Sequence, residues 1–445
     1  MKNLFSLRFL FLRSSTAASS VVTGLLQTFV FARVLTPEQF SLFVLVGALG
    51  FALLLCDLGA AKILFVRLRQ HYLDRSKDKS VAAQTSAIVI LYIALAIVGA
   101  LVCFLAMVCF RSESWLQSFQ FSLFFLFTAV NLAWFALRNV AIAVDEYIYF
   151  EVLEVARRFL VILATVALLF LLPLTSFLIL VNAIWLVAFA LGILRLKARD
   201  ALSARLRGQL RFLKTFWSEN GRTLLRSSIF SISEIYIYNF PYFFVPAVFG
   251  LGAPTIILDT TFKVFRGGSI AYSAACDVAL PKLTQAFNSR DLVGLTRSIW
   301  VALGLSAIPT IIVSIVLWVA GERLFAMLLG PAAVMPNVGP VLTLLLFANM
   351  FQMVALSLLV HTGFFKEISQ ASPFIAVAMT LGTLFAYLSK ASILEYLWIY
   401  AIIYSCGMLV FVALAWLGPL RVVKQSNAAA IWKDPAAQHK PSSPR

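Results

Sequence analysis

Apolar segments long enough to cross a lipid bilayer recur along nearly the whole of this 445-residue chain. A helix needs roughly 20 mostly apolar residues to cross a hydrocarbon layer of about 30 Å. By that measure the chain contains about twelve candidate spans. They form two sets of six, at 16–35, 40–61, 82–109, 121–138, 152–172 and 176–194, and at 227–249, 254–278, 298–320, 340–361, 373–389 and 397–417. The pattern predicts an all-α membrane protein.

The composition excludes an ordinary soluble protein. Hydrophobic residues make up 62% of the chain and charged residues 12%, whereas a soluble domain is roughly half apolar and a quarter charged. Too few polar side chains remain to cover a water-soluble fold of this length. Most of the surface is therefore expected to face lipid.

The basic residues are distributed unevenly between the predicted loops. Short cytoplasmic loops of membrane proteins keep Lys and Arg, whereas translocated loops lose them. With the N-terminus in the cytoplasm, 30 of the 36 Lys and Arg lie in cytoplasmic segments, four lie outside and two lie within a span. This count places Arg157 and Arg158 in a cytoplasmic loop at 138–158. The asymmetry predicts cytoplasmic termini and explains the net charge of +17 without a nucleic-acid partner.

The spans divide the chain into two lobes joined by one long connection. We expect an N-terminal lobe at 1–194, a cytoplasmic linker at 195–226, a C-terminal lobe at 227–420 and a disordered cytoplasmic tail at 421–445. The linker carries apolar residues at helical spacing among Arg and Lys, which is typical of an amphipathic helix on an anionic membrane surface. Such a helix either covers the hinge between the lobes or binds a lipid head group.

Ionisable residues of the eighth predicted span share one helical face. Asp259, Lys263, Arg266 and Asp277 lie close to one meridian at about 100° per residue. Charged groups in hydrocarbon cost at least about 2.5 kcal/mol each, so retained ones usually face a bundle interior or a hydrated cavity. Asp259 and Lys263 are four residues apart, so mutual neutralisation is the structural alternative for that pair. The alternative for Asp277 is the cytoplasmic interface.

Polar residues also mark the seventh span and the first two. The seventh span carries Glu234, Tyr238 and Asn239, the first carries Gln27 and the second carries Asp57. The four most polar spans are therefore the first two of each half. Substrate sites of transporters with repeated halves commonly lie between the halves. We therefore expect two six-helix lobes around a central cavity.

Signatures of an enzyme or a metalloprotein are absent from the sequence. There is no HExxH, GxSxG or Walker-type glycine loop, and the three His and five Cys show no metal-ligand or disulfide spacing. We expect a protein that is not an enzyme, with no catalytic residues, no metal and no cofactor.

Several motifs resemble those of a known family. The stretch from Ala32 to Lys62, ARVLTPEQFSLFVLVGALGFALLLCDLGAAK, is similar to the region of the first two spans in Wzx-type polysaccharide flippases. In the second half ALPKLTQAFNSRD, GERLFAMLLGPA and HTGFFKE look like the corresponding signatures, in the same order. The chain therefore resembles the multidrug/oligosaccharidyl-lipid/polysaccharide exporter superfamily.

The resemblance implies a V-shaped pair of six-helix lobes that work by alternating access. It implies translocation of an undecaprenyl-diphosphate-linked oligosaccharide, a precursor of O-antigen or exopolysaccharide, across the bacterial inner membrane. The polyprenyl tail can stay in lipid while the head passes through the cavity, since a bare sugar diphosphate cannot cross hydrocarbon. The partners to expect are the lipid-linked glycan, membrane lipids and the machinery that polymerises and exports the polysaccharide.

The resemblance also implies roles for individual residues. Lys263 and Arg266 are the expected phosphate contacts, and Arg33, which matches the family's Arg at the outer end of the first span, extends this cationic path. Asp57 matches the acid of the family's Asp-Leu-Gly motif. The remaining expectations are Tyr238 and Asn239 as substrate-binding residues and Asp57, Glu234, Asp259 and Asp277 as ion-coupling residues.

Two alternative functions remain open at this stage. The four carboxylates outnumber Lys263 and Arg266, and an acidic cavity is the natural pattern for a cation-coupled multidrug exporter of the same superfamily. In a flippase the carboxylates would serve as proton or cation sites. A membrane-bound glycan polymerase or ligase is the other alternative, although the longest predicted outer loop, 321–339, is short and mostly apolar for a catalytic loop.

Overall fold

The computed structural model describes residues 7–73, 79–111, 113–203, 209–330 and 337–425. Part of the predicted linker and most of the predicted tail lie outside these ranges. Fourteen α-helices account for almost all of the described residues, among which there is no strand. They are α1 Leu7–Val34, α2 Pro37–Ala52, α3 Ala60–Leu73, α4 Lys79–Arg111, α5 Trp115–Ala129, α6 Asn131–Ala143, α7 Tyr147–Phe170, α8 Leu174–Lys197, α9 Gln209–Phe249, α10 Ala253–Asn288, α11 Leu292–Leu329, α12 Val338–His361, α13 Phe365–Leu388 and α14 Ile393–Ala415.

These helices form twelve spans, six in each lobe. A 3₁₀ turn at Leu53–Asp57 continues α2 as the second span, and α5 and α6 together form the fourth. Helix α3 extends the second span on the inner side, which we define as the side where the charge count places the N-terminus. The predicted fold class of two six-helix lobes is therefore confirmed.

Nine segments of the described chain are long and apolar enough to cross a membrane. The other three of the twelve spans, α7, α9 and α10, are too polar to meet this criterion. These helices carry the charged residues within the membrane. The Arg and Lys residues near the middle of α7 and α10, Arg157, Arg158, Lys263 and Arg266, line a cavity rather than facing lipid.

The flippase-like stretch from Ala32 to Lys62 contains the residues that cap the N-termini of α2 and α3. Thr36 caps α2 through a capping box. After the 3₁₀ turn, Leu58 and Gly59 adopt positive φ angles of 47° and 78°, which reverses the local backbone. The side chain of Asp57 then accepts hydrogen bonds from the backbone N–H groups of Gly59 and Ala61, at 3.1 and 3.0 Å. The Asp-Leu-Gly motif is thus a turn and a cap for α3.

Helix α7 begins before the fifth predicted span, because it includes the polar turn ahead of residue 152. Arg157 and Arg158 consequently lie inside this helix, about 15 Å from its first residue at a rise of about 1.5 Å per residue. Their assignment to a cytoplasmic loop was wrong. The predicted span at 152–172 already contained both residues, but the count of basic residues assigned them to the overlapping loop at 138–158.

Helix α9 runs without a break from Gln209 to Phe249. The boundary predicted at 226 therefore lies inside a helix that runs on from the predicted linker into the seventh span. Phe216 and Leu224 are buried in a hydrophobic cluster with side chains of the N-terminal lobe such as Tyr92. This packing covers part of the apolar face of the segment, since Trp217 and Leu225 remain exposed.

The lobes contact each other toward both ends. At the outer end the backbone N–H of Gly252 donates a hydrogen bond to Ser41 Oγ at 3.0 Å. Toward the inner end Ser228 Oγ donates to the carbonyl of Leu58 at 3.2 Å. Between these contacts the lobes enclose the cavity described next.

Candidate substrate cavity

A cavity of about 580 Å³ lies between the lobes. This volume falls within the range of roughly 300–1,000 Å³ that is usual for ligand sites. Helices of both lobes line the cavity, chiefly α1, α2, α5 and α7 on one side and α9 and α10 on the other. The predicted central cavity between two lobes is therefore present.

The wall from the C-terminal lobe carries an ion pair that also contacts the N-terminal lobe. Lys263 Nζ lies 2.6 Å from Asp259 Oδ2 and donates a hydrogen bond to Thr28 Oγ1 of the N-terminal lobe at 2.7 Å. The Tyr242 hydroxyl donates to the other carboxylate oxygen of Asp259 at 3.3 Å. The four-residue spacing of Asp259 and Lys263 thus produces the mutual neutralisation that the sequence allowed, but the pair still faces the cavity.

Arg266 lies on the same wall, and its hydrogen bonds go to neutral groups. Its Nη2 atom donates to the carbonyl of Tyr238 at 3.1 Å and to Asn239 Oδ1 at 3.2 Å. Its guanidinium also lies 5.1 Å from the centre of the Tyr242 ring. The structure therefore brings together three of the predicted substrate-binding residues, and these contacts orient the Arg266 charge without cancelling it.

The wall from the N-terminal lobe carries a second charged cluster that the sequence analysis missed. Arg157 binds Glu154 through two hydrogen bonds, at 2.7 and 3.0 Å, and Arg158 Nε donates to the same carboxylate at 2.6 Å. Arg157 also stacks on Trp185, 3.6 Å from the ring centre. The i, i+3 and i, i+4 spacing of these residues was visible in the sequence, but the placement of both Arg residues outside the membrane concealed it.

Phenylalanine rings cover much of the remaining N-lobe wall. Those that line the cavity are Phe31, Phe40, Phe43, Phe51, Phe124 and Phe127. Several of them pack on one another, for example Phe43 and Phe124 with ring centres 5.1 Å apart. The cavity is therefore amphipathic, with an aromatic surface beside two separate charged clusters.

The charge balance of the cavity is opposite to the expectation from sequence. Its lining contains four cationic side chains, from Arg157, Arg158, Lys263 and Arg266, and two carboxylates, from Glu234 and Asp259. The sequence-based count of four carboxylates against two cations was wrong for two reasons: it omitted the Arg pair of α7, and it included Asp57 and Asp277.

Asp57 and Asp277 lie outside the cavity lining. Asp57 is buried beside the α3 N-terminus, where the Tyr92 hydroxyl donates to its Oδ1 atom at 2.8 Å. Asp277 is exposed on the inner part of α10, about 21 Å along the helix axis from Lys263 at about 1.5 Å per residue. The polar face of α10 extends beyond the cavity. Alignment on that face was therefore not enough to place Asp277 in the cavity.

Arg33 also lies outside the cavity lining, at the outer ends of two helices from different lobes. Its guanidinium donates to the carbonyl groups of Met327 and Leu328 at 2.8 and 3.3 Å, and to that of Phe29 at 2.8 Å. It also stacks on the Phe29 ring at 3.4 Å. Met327 and Leu328 belong to the last turn of α11, where backbone carbonyl groups lack partners within the helix. Arg33 therefore connects the lobes.

Comparisons with known proteins agree on the fold. No family model and no curated protein matches the sequence. Among solved structures, a MOP superfamily transporter from Pyrococcus furiosus, reported with a binding pocket of reverse polarity, superposes with a TM-score of 0.66 at 10% identity over 94% of this chain and 95% of that one. An outward-facing multidrug resistance MATE family transporter of the MOP superfamily gives 0.62 at 13% identity, covering 94% and 96%. The eukaryotic MATE transporter AtDTX14 gives 0.58 at 12% identity, covering 94% and 97%.

These neighbours define the class of fold. The chain has the twelve-helix, two-lobe architecture of MATE transporters of the MOP superfamily. The superfamily-level resemblance seen in the sequence motifs agrees with this result. The assignment to Wzx-type flippases within that superfamily stays a prediction.

Proposed function

We propose that this protein is an alternating-access membrane carrier that exports an amphiphile with an anionic head group. The observation that carries the proposal is Arg266, which faces the cavity and whose hydrogen bonds go to neutral acceptors. A cation kept in the membrane at this cost is usually part of a substrate or ion pathway. The two-lobe fold provides the movement, since rocking of one lobe against the other can open the cavity to either side.

The charges of both walls favour an anionic head. Cationic side chains of the lining outnumber its carboxylates by four to two. Glu154, behind the Arg pair of α7, reduces this excess but does not remove it. An anionic group would complete the balance, whereas a cationic group would add to the unpaired positive charge.

The specific substrate that we propose is a polyprenyl-diphosphate-linked oligosaccharide. Lys263 and Arg266 would contact the diphosphate, with Tyr238 and Asn239 holding Arg266 in place. The motif resemblance supports this choice of substrate. We also propose that the protein lies in a bacterial inner membrane with cytoplasmic termini and cooperates with a polysaccharide polymerase or export complex. An inside-negative potential would favour outward movement of the anion by about 2.3 kcal/mol per charge per 100 mV.

The second candidate is a cation-coupled multidrug exporter. Two observations favour it: a structural neighbour is a multidrug resistance MATE transporter, and Glu234 and Asp259 face the cavity. The fold comparisons support this candidate more directly than the flippase. In either case Glu234 and Asp259 are the carboxylates that we propose for ion coupling, because they face the cavity and Asp57 and Asp277 do not.

Transport in proteoliposomes distinguishes the two candidates. The probes are a fluorescent polyprenyl diphosphate sugar and a lipophilic cationic dye, tested with wild-type protein, Lys263→Ala, Arg266→Ala and the control Arg323→Ala at the outer end of α11. The flippase proposal predicts that the first two variants lose translocation of the diphosphate probe and that the control keeps it. Transport of the dye that survives or increases in both variants, with no transport of the diphosphate by wild-type protein, would establish the exporter instead.

A further inference from the structure

Arg158 presents hydrogen-bond donors that its internal partner does not use. A guanidinium has five N–H donors, and the contact of Arg158 with Glu154 employs only Nε, at 2.6 Å. The side chain lines the cavity and keeps 22% of its surface exposed. The two terminal nitrogens form the planar fork that binds carboxylate and phosphate groups in bidentate fashion.

Arg157 and Arg158 differ in how fully Glu154 engages them. Arg157 is 5% exposed, holds Glu154 through two nitrogens and is stacked on Trp185. These contacts make it the structural partner of the carboxylate. One carboxylate cannot neutralise two guanidinium groups, so one formal positive charge remains on this wall, and Arg158 is the more exposed of the two.

Arg266 is a separate cation on the opposite lobe. Counted along their helices, Arg158 lies about 16 Å from the inner end of α7 and Arg266 about 20 Å from the outer end of α10. In a hydrocarbon layer of about 30 Å both lie near the middle. Each lobe therefore brings one incompletely balanced arginine to a shared cavity.

We propose that Arg158, held in place by Glu154, is a second anion subsite, so that the transported molecule carries two anionic groups, one bound at each lobe. The subsite would take a planar or tetrahedral oxyanion, a carboxylate or a phosphate. Combined with the proposed function, on which it rests, this assigns the substrate to acidic glycans: a phosphate-linked saccharide with a further acidic group such as a uronic acid. Binding at both walls would also draw the lobes together around the head group.

Binding of two sugar phosphates to the purified full-length protein tests this inference. Glucose 1-phosphate carries one anionic group and glucuronic acid 1-phosphate carries two, and isothermal titration calorimetry measures both. A charge-assisted bidentate contact corresponds to roughly tenfold to a hundredfold in affinity. We expect glucuronic acid 1-phosphate to bind at least about tenfold more tightly to wild-type protein, and Arg158→Gln to abolish the difference.

Further variants separate a subsite from a structural role. Arg158→Lys keeps the charge but loses the planar fork, so it should recover only part of the preference. Arg323→Gln should bind both probes as wild type does. Arg266→Gln should weaken both probes, since it removes the subsite that the phosphate would use.

The outcomes keep this inference distinct from the proposed function. Equal affinities for the two probes in wild-type protein, or a preference that survives Arg158→Gln, would overturn the second subsite while leaving the anionic head group intact. An absence of binding of both probes to wild-type protein would overturn both. Size-exclusion profiles and thermal unfolding of each variant exclude misfolding as the cause of a lost signal.

Discussion

The ammonium of Lys263 donates a hydrogen bond to Thr28 Oγ1 at 2.7 Å, and these two residues belong to different lobes. Lys263 is at the same time ion-paired with Asp259 within its own lobe. A single side chain in the cavity therefore contributes both to the charge of the site and to the contact between the lobes. An anionic head group that attracts Lys263 competes with Thr28, so substrate binding and separation of the lobes are linked.

Thr28→Val removes this connection without changing charge or shape. A hydrogen bond from a charged donor contributes about 1.5 kcal/mol. We therefore expect roughly a tenfold increase in the population of molecules whose lobes are separated at their outer ends. The measurement is the labelling rate of Phe31→Cys, a buried cavity residue, by a membrane-impermeant maleimide added from outside. The background protein has all five native cysteines replaced.

Thr28→Ser should restore the wild-type labelling rate, because it keeps the acceptor oxygen. Thr296→Val serves as the matched control, since the hydroxyl of Thr296 bonds only within its own helix, to Leu292, at 2.8 Å. An unchanged rate in Thr28→Val, or an equal increase in Thr28→Ser, would show that this contact does not hold the lobes together.

Arg33→Ala should loosen the outer ends of the lobes and leave the charge of the cavity unchanged. The substitution leaves the carbonyl groups of Met327 and Leu328 without their cross-lobe donor. Spin labels at Glu113 and Lys390 lie in the outer connections of the two lobes. Double electron–electron resonance between them should show a longer and broader distance distribution. If Arg33→Ala matches the control Arg323→Ala and the wild type, Arg33 is not a lobe–lobe contact.

Gly50→Ala should destabilise the N-terminal lobe. A Cβ atom at Gly50 would lie 1.9 Å from Thr128 Oγ1 and 3.1 Å from the carbonyl oxygen of Phe125, so α2 and α5 would have to separate. Overpacking of this kind costs about 1–3 kcal/mol. Gly304→Ala is the control, because no atom lies within 4 Å of its added Cβ. Equal unfolding temperatures for the two variants in detergent would contradict the predicted close packing.

Asp57→Asn tests whether this residue is a cap or a coupling site. Loss of the charged acceptor for Gly59, Ala61 and Tyr92 should lower the free energy of unfolding by about 1–2 kcal/mol and leave the ion dependence of transport unchanged. Thermal unfolding and transport under imposed proton and sodium gradients give the two results. Wild-type stability with a lost ion dependence would support the coupling role predicted from sequence.

The fold was predictable because span length and the distribution of basic residues are properties of the sequence alone. The predictions failed where tertiary contacts change the environment of a polar residue. Glu154 offsets the charges of Arg157 and Arg158 inside α7, and a hydropathy scan does not register that pairing. Phe216 attaches the inner part of α9 to the N-terminal lobe, which helical periodicity could not distinguish from membrane contact.

The C-lobe wall of the site followed from helical spacing, since Asp259, Lys263 and Arg266 do share a face directed into the cavity. Spacing does not reveal where a cavity ends, so Asp277 and Asp57 were included with it. Motif resemblance aligned Arg33 with a substrate path, but its guanidinium contacts backbone carbonyl groups at the outer ends of the helices. Depth along each helix was the missing information in all three cases.

Reversible cross-linking of the lobes tests the central claim, that an anionic head group crosses the membrane as the lobes alternate around this cavity. Val34 and Met327 are exposed and lie on either side of the Arg33 contact. Both are replaced by Cys in the cysteine-free protein, and a reducible bifunctional methanethiosulfonate cross-links the two cysteines. We predict that translocation of the fluorescent polyprenyl diphosphate sugar falls to the protein-free rate on cross-linking and returns on reduction. Translocation at the uncross-linked rate while the lobes are joined would contradict the account.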